Sequence, residues 1–160
     1  MLEKMKMIWQ DAKQLKDERG LTLVELLVVV VILGIIAAIA VVAIGGIIEN
    51  SKKDAMVADA KQMVSAAKLY TASNPVDSAK TLRFAGTLAN GEADGTQYVD
   101  NLKDPFGTGN YTNANVVITP NGNKYTYTVQ LVGSKKAIGQ AAAVADDTLK
   151  KDLVIDKTTN

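Results

Sequence analysis

Glu25 follows Leu21, Thr22, Leu23 and Val24 and precedes 23 residues, Leu26 to Ile48, that include no charge, proline, asparagine, glutamine or serine. Within a membrane helix an ionised carboxylate costs on the order of 2.5 to 3.5 kcal/mol at the centre and less near an end. Two explanations fit such a residue: solvation at headgroup level, or a positive partner that cancels its charge. Other chemistry is scarce. With no Cys and no His, the chain cannot build a Cys or His zinc site, a Ser-His-Asp triad, a thiol nucleophile or a disulfide. Glu92, Asp94, Asp100 and Asp104 carry hard oxygen ligands, but their spacing is no EF-hand and they read first as solvated turn residues. Lys135-Lys136 and Lys150-Lys151, with Tyr125 and Tyr127, are the groups that could touch a nucleic-acid backbone. Residues 49–160 hold 13 basic and 12 acidic side chains, which favours ordinary solvated surface charges over DNA binding. Neither a phosphate loop nor an arginine-rich ribbon is present, so no cofactor, no metal and no enzymatic activity are expected.

The elements that position Glu25 are unequal. The uncharged run would form roughly 35 Å of helix, enough to cross a hydrocarbon layer of about 30 Å. A buried core helix of a soluble protein is rarely so long and usually has a polar stripe, and the apolar core of a secretory signal is shorter. Residues 1–20 hold five basic and four acidic residues, which places this side in the cytoplasm and the longer C-terminal part outside. Beyond the span, Met56, Ala60, Met63, Ala67 and Tyr70 recur at spacings of 4, 3, 4 and 3. This extends the helix, as an amphipathic continuation over 49–72, until Ser73, Asn74 and Pro75 end it.

Residues 74–114 are rich in turn formers and read as a connecting loop region. From 115 to 132 the alternation of Tyr125, Tyr127, Val129 and Leu131 with Thr126, Thr128 and Gln130 predicts a hairpin, with Pro120 to Asn123 as its turn and one face on the helix. Residues 137–149 read as a short helix, and Leu153, Val154 and Ile155 as an added strand. Together these give an α+β chain.

The string ERGLTLVELLVVVVILGIIAAIAVVAIGG (residues 18–46) resembles the cleavage and methylation segment of type IV prepilins and pseudopilins, including the major pilins of Gram-positive competence pili. The resemblance is strong over residues 18–41. It implies a cut between Gly20 and Leu21 by a membrane-embedded prepilin peptidase, N-methylation of the new terminus at Leu21, and an assembly role for Glu25. In that role the carboxylate meets the free amine of a neighbouring subunit's first residue. Gly34 matches the glycine at which the family's helix loosens during assembly. The sequence departs from the family in two places: Leu21 stands where most members have Phe, and Val42 where many have Pro. Without that proline no kink is forced, and Gly45 and Gly46 are the alternative flexible point. The fragment LKDPFG (residues 102–107) also resembles a loop of major pseudopilins, some of which bind calcium nearby.

The resemblance further implies a type IV pilin fold, in which the long helix packs on a small antiparallel sheet. The expected organisation is a leader over 1–20, a transmembrane and filament-core helix over 21–48, the amphipathic continuation over 49–72, and an extracellular head over 73–160. Its expected partners are copies of itself, the prepilin peptidase/methyltransferase, the assembly platform and ATPase, and the cytoplasmic membrane before assembly. Three roles compete: a major pilin for adhesion or motility, a competence pseudopilin of a DNA-uptake pilus, and a pseudopilin of type II secretion.

Overall fold

A computed structural model describes residues 1–18, 22–100 and 102–159. The chain divides into two compact units, Met1–Gly46 and Ile47–Asn160. The first holds helix α1 (Leu2–Glu18) and the beginning of helix α2 (Leu23–Ser73). Within it every residue from Leu23 to Gly46 is exposed except the half-buried Ala40. α2 is the one helix among the described residues that is long and apolar enough to cross a membrane.

In the second unit, α2 has a buried face. Met56, Ala60, Met63 and Ala67 have no exposed surface, and Tyr70, next in that series, packs at the margin of the core. The helix ends where a proline makes continuation costly: the backbone and side-chain amides of Asn74 both donate to the Tyr70 carbonyl (2.8 and 3.2 Å), and Pro75 follows.

The buried face lies on a sheet of seven strands: β1 (Lys80–Ala85), β2 (Ala93–Asp94), β3 (Asn113–Asn121), β4 (Lys124–Val132), β5 (Lys136–Ile138), β6 (Val144–Ala145) and β7 (Ile155–Asp156). Their order is β2-β1-β3-β4-β5-β7, with β6 pairing beside β5 on the same strand, β4. All pairings are antiparallel except β1 with β2, so the sheet is mixed rather than purely antiparallel. Leu82, Ala114, Val116, Ile118, Val129, Leu131 and Ile138 form the sheet side of the core. Along β4 the exposed or half-buried Thr126, Thr128 and Gln130 alternate with buried Tyr127, Val129 and Leu131, as the period of two demands. This long helix on a mixed sheet is an α+β fold like that of type IV pilins.

The strands depart from the sequence expectations in three places. Pro120 and Asn121 belong to β3, so the turn shrinks to Gly122 and Asn123. Gly122 takes φ +61°, the left-handed value a two-residue hairpin turn requires at its first central position. Residues 80–85, expected as loop, form β1, because Leu82 and Phe84 gain burial only by pairing alongside β3. Residues 137–149 are not one helix: they hold the end of β5, β6 and a short 3-10 turn, Asp146–Thr148. Gly139 adopts φ +67°, and a Cβ there would come within 2.8 Å of the Val129 carbonyl oxygen, so helical geometry stops and β6 joins the edge of β4. The added strand is β7, which starts at Ile155; Leu153 lies in a short 3-10 turn, Lys151–Leu153.

Core packing makes a quantitative expectation. Met63→Ala should lower the unfolding free energy of the detergent-solubilised chain by about 2 to 5 kcal/mol in a denaturant titration. Leu69→Ala, on the exposed side of the same helix, should change it by less than about 0.5 kcal/mol.

Candidate functional site

Helix α2 begins with a reciprocal pair of hydrogen bonds. The Thr22 backbone N–H donates to Glu25 Oε2 (2.8 Å), and the Glu25 N–H donates to Thr22 Oγ1 (3.3 Å). The Thr22 hydroxyl also donates to Glu25 Oε2 (3.1 Å). This is a capping box: two backbone donors left over at a helix start are satisfied by the side chains three residues apart. The T-x-x-E spacing of Thr22 and Glu25 is its sequence signal, and Thr22 is the residue that signal adds to the motif. Glu25 therefore has neutral partners within its own chain, at the edge of the exposed apolar segment. Gly20 and Leu21, the expected cleavage and methylation positions, lie outside the described residues.

The helix runs unbroken through Gly34, Gly45 and Gly46, and a Cβ at any of the three would meet nothing within 4 Å. Ala at those positions therefore fits the single chain without a clash. Any requirement for glycine there arises from close contact with another body or from a need to bend.

In the second unit the four acidic residues weighed as metal ligands are separated into different tasks. Glu92 pairs with the Arg83 guanidinium through both oxygens and accepts the Ala89 N–H (2.8 Å). Asp94 caps the turn at Thr96, accepting from its N–H (2.9 Å) and its hydroxyl (2.6 Å). Asp100 is exposed. Asp104 is not a solvated turn residue: it is 4% exposed and accepts from the Phe106 N–H (2.9 Å), the Ser134 N–H (2.6 Å) and the Ser134 hydroxyl (2.6 Å). Gly107 and Gly133 leave it room, since a Cβ on either would approach its carboxylate to 2.8 Å. Among the described residues no three acidic side chains converge as a metal site.

The charged groups near α2 are likewise engaged. Lys136 bridges Glu49 (3.3 Å) and Asp156 (2.8 Å), Lys151 meets Asp54 (3.0 Å), and Lys68 meets Asp146 (3.1 Å). Tyr125 accepts the Val76 N–H (3.2 Å), and Tyr127 shares a hydrogen bond with Thr71 (3.0 Å). Of the residues with nucleic-acid potential, Lys136, Lys151, Tyr125 and Tyr127 thus tie elements of this unit together, while Lys135 and Lys150 are exposed. A second tie is the Tyr111 hydroxyl, which donates to Asp59 (2.6 Å). Burial pushes the Asp59 carboxyl up, and the Tyr111 bond only partly opposes this. The Tyr111 phenol is raised by burial first and then by Asp59. For Asp104 burial acts upward, but the Ser134 and Phe106 donors and the nearby Lys52 charge outweigh it, and the carboxyl lies below its ordinary range.

The apolar part of α2 is thus exposed, with a carboxylate near its start, and the helix continues into an α+β unit. Residues 15–41 match the family described as the prokaryotic N-terminal methylation motif. The match supports the type IV pilin/prepilin-type family and a pilin-like or pseudopilin subunit. Neither a curated protein nor a solved structure matches the chain. The apolar helix and the motif are consistent with membrane anchoring and a pilus.

Two outcomes test this geometry. The Arg83 hydrogen bonds, and then the Ala89 N–H, pull the Glu92 carboxyl from 4.5 down to about 2. A depressed folded-state pKa means that its stabilisation is complete above pH 4.5 and is lost as pH falls towards about 2. Glu92→Gln should therefore flatten that part of the fall in melting temperature with acid. Thr22→Ala, by removing the cap, should destabilise the first turn of α2 by about 0.5 to 2 kcal/mol. Amide exchange at Val24 to Leu27 in micelles should be correspondingly faster.

Proposed function

We propose that the chain is a prepilin, the major structural subunit of a type IV pilus that serves adhesion or motility. The observation that carries this reading is the single carboxylate, Glu25, at the head of the apolar run and inside the matched motif. In this reading residues 1–20 are a cytoplasmic leader, 21–48 cross the membrane and later form the filament core, and 49–72 continue the helix into an extracellular head over 73–160. Prepilin peptidase cuts after Gly20 and methylates Leu21. The assembly platform and its ATPase then lift the subunit from the cytoplasmic membrane into a homopolymer.

The mechanism is an exchange of partners. In the single chain Glu25 rests on the Thr22 N–H and hydroxyl, contacts that a residue at the lipid interface can keep. In a filament the same carboxylate enters a dry bundle of helices. A buried charge left unpaired there would cost several kcal/mol, so the amine of a neighbour's Leu21 both neutralises it and sets the stagger between subunits. Gly34, Gly45 and Gly46 are the points at which α2 would bend or admit a neighbouring helix during that move.

Mass spectrometry of the surface protein should find an N-terminus at methylated Leu21; an intact Met1 would overturn the reading. Glu25→Val or Glu25→Ala should leave cleavage nearly unchanged and abolish filaments seen by electron microscopy. Normal filaments from either variant would show that the charge pair does not drive assembly.

A further inference from the structure

Helix α1 is amphipathic in a particular way. At 100° per residue, Leu2, Met5, Ile8, Trp9 and Ala12 fall on one face. Lys6 and Lys13 lie along one border of that face, Lys4 with Asp11 beside it along the other, and Glu3 and Gln10 lie across the helix with the apolar Met7. Among the described residues of its own unit nothing covers the apolar face: Met5 is 60%, Ile8 66% and Trp9 70% exposed. Lysines bordering an apolar face, with a tryptophan on that face, suit a helix lying in a lipid interface. There the apolar side chains enter the acyl boundary and the lysine stems reach back to headgroup phosphates.

The chain connection supplies the second argument. α1 ends at Glu18 and α2 begins at Leu23, so at most about 18 Å of extended chain separates them. A helix tethered this closely to a membrane span is held at very high local concentration near the surface, so even weak attraction suffices to dock it. We propose that α1 binds the surface of an anionic leaflet as an interfacial helix. This rests on α2 spanning the membrane, but not on cleavage or polymerisation. The uncovered apolar face then has an occupant.

Trp9 is the chain's single tryptophan, which makes it a direct reporter. The full chain would be reconstituted in vesicles of phosphatidylcholine, alone or mixed with phosphatidylglycerol, with and without acyl chains brominated near the headgroup. Co-flotation with vesicles reads the anchoring of α2, and bromolipid quenching of Trp9 reads the docking of α1. Docking predicts strong quenching in the mixed vesicles and its loss in Met5→Glu/Ile8→Glu. Each change of Lys4, Lys6 or Lys13 to Gln should weaken docking about fivefold, equivalent to about 1 kcal/mol per basic residue at an anionic surface. A chain that floats while Trp9 escapes quenching, or is quenched equally without anionic lipid, overturns the proposal and leaves the membrane anchor intact. Trp9 shielding that rises with the protein-to-lipid ratio, without bromolipid quenching, overturns it in favour of a second copy as occupant. A chain that does not float overturns the anchor itself and the inference with it.

Discussion

The constraint on which everything else depends is that the first half of α2 cannot cover its own apolar surface. From Leu23 to Gly46 the side chains are exposed along the whole circumference of the helix, with Ala40 alone half-buried. Water is a poor solvent for such a surface, at roughly 25 cal/mol for each Å² left uncovered. Lipid can cover it, and so can other helices of the same kind. In the proposed function the chain exchanges the first cover for the second, and Glu25 is the polar group that makes the exchange selective. A carboxylate is tolerable at a lipid interface with the Thr22 donors beside it, and intolerable in a helical bundle without a cation.

The second unit meets the opposite requirement. It must fold by packing alone, with neither disulfide nor metal ligand of the Cys or His kind to help. Its solution is to give the same helix a different character after Ile48, with small and flexible residues, Ala60, Ala67, Met56 and Met63, buried against β-branched and leucine side chains from β1, β3 and β4. Polar ties then fix the arrangement laterally. Tyr111 reaches Asp59 on the helix, Tyr127 reaches Thr71, and Asp104 joins the 104–107 turn to the β4–β5 loop through Ser134. Each buries a polar group with its partner already in place, which keeps the desolvation cost from going uncompensated. Charges that look like a basic surface in one dimension, Lys136 and Lys151, are spent on neighbouring carboxylates.

Some of this was legible in the residues and some was not, along a physical divide. The apolar span, the T-x-x-E cap at Thr22 and Glu25, the end of α2 at Asn74-Pro75 and the β3–β4 hairpin are all written within a few residues of where they act. Composition, a 3.6-residue period, a proline or the Gly122-Asn123 turn suffices for each. The motif over 15–41 is local in the same sense. Sequence alone therefore determined the membrane-seeking helix, its charged start and an α+β partner. Tertiary structure decided what depends on residues distant in the chain. β1 exists because β3 offers Leu82 and Phe84 a buried place, and 137–149 is not a helix because the edge of β4 claims Val144 and Gly139 must turn there. Asp104 is buried rather than solvated because Ser134, thirty residues away, brings two donors to it. A carboxylate's environment is set by what surrounds it in space, and spacing along the chain carries that information only when the neighbours are also neighbours in sequence.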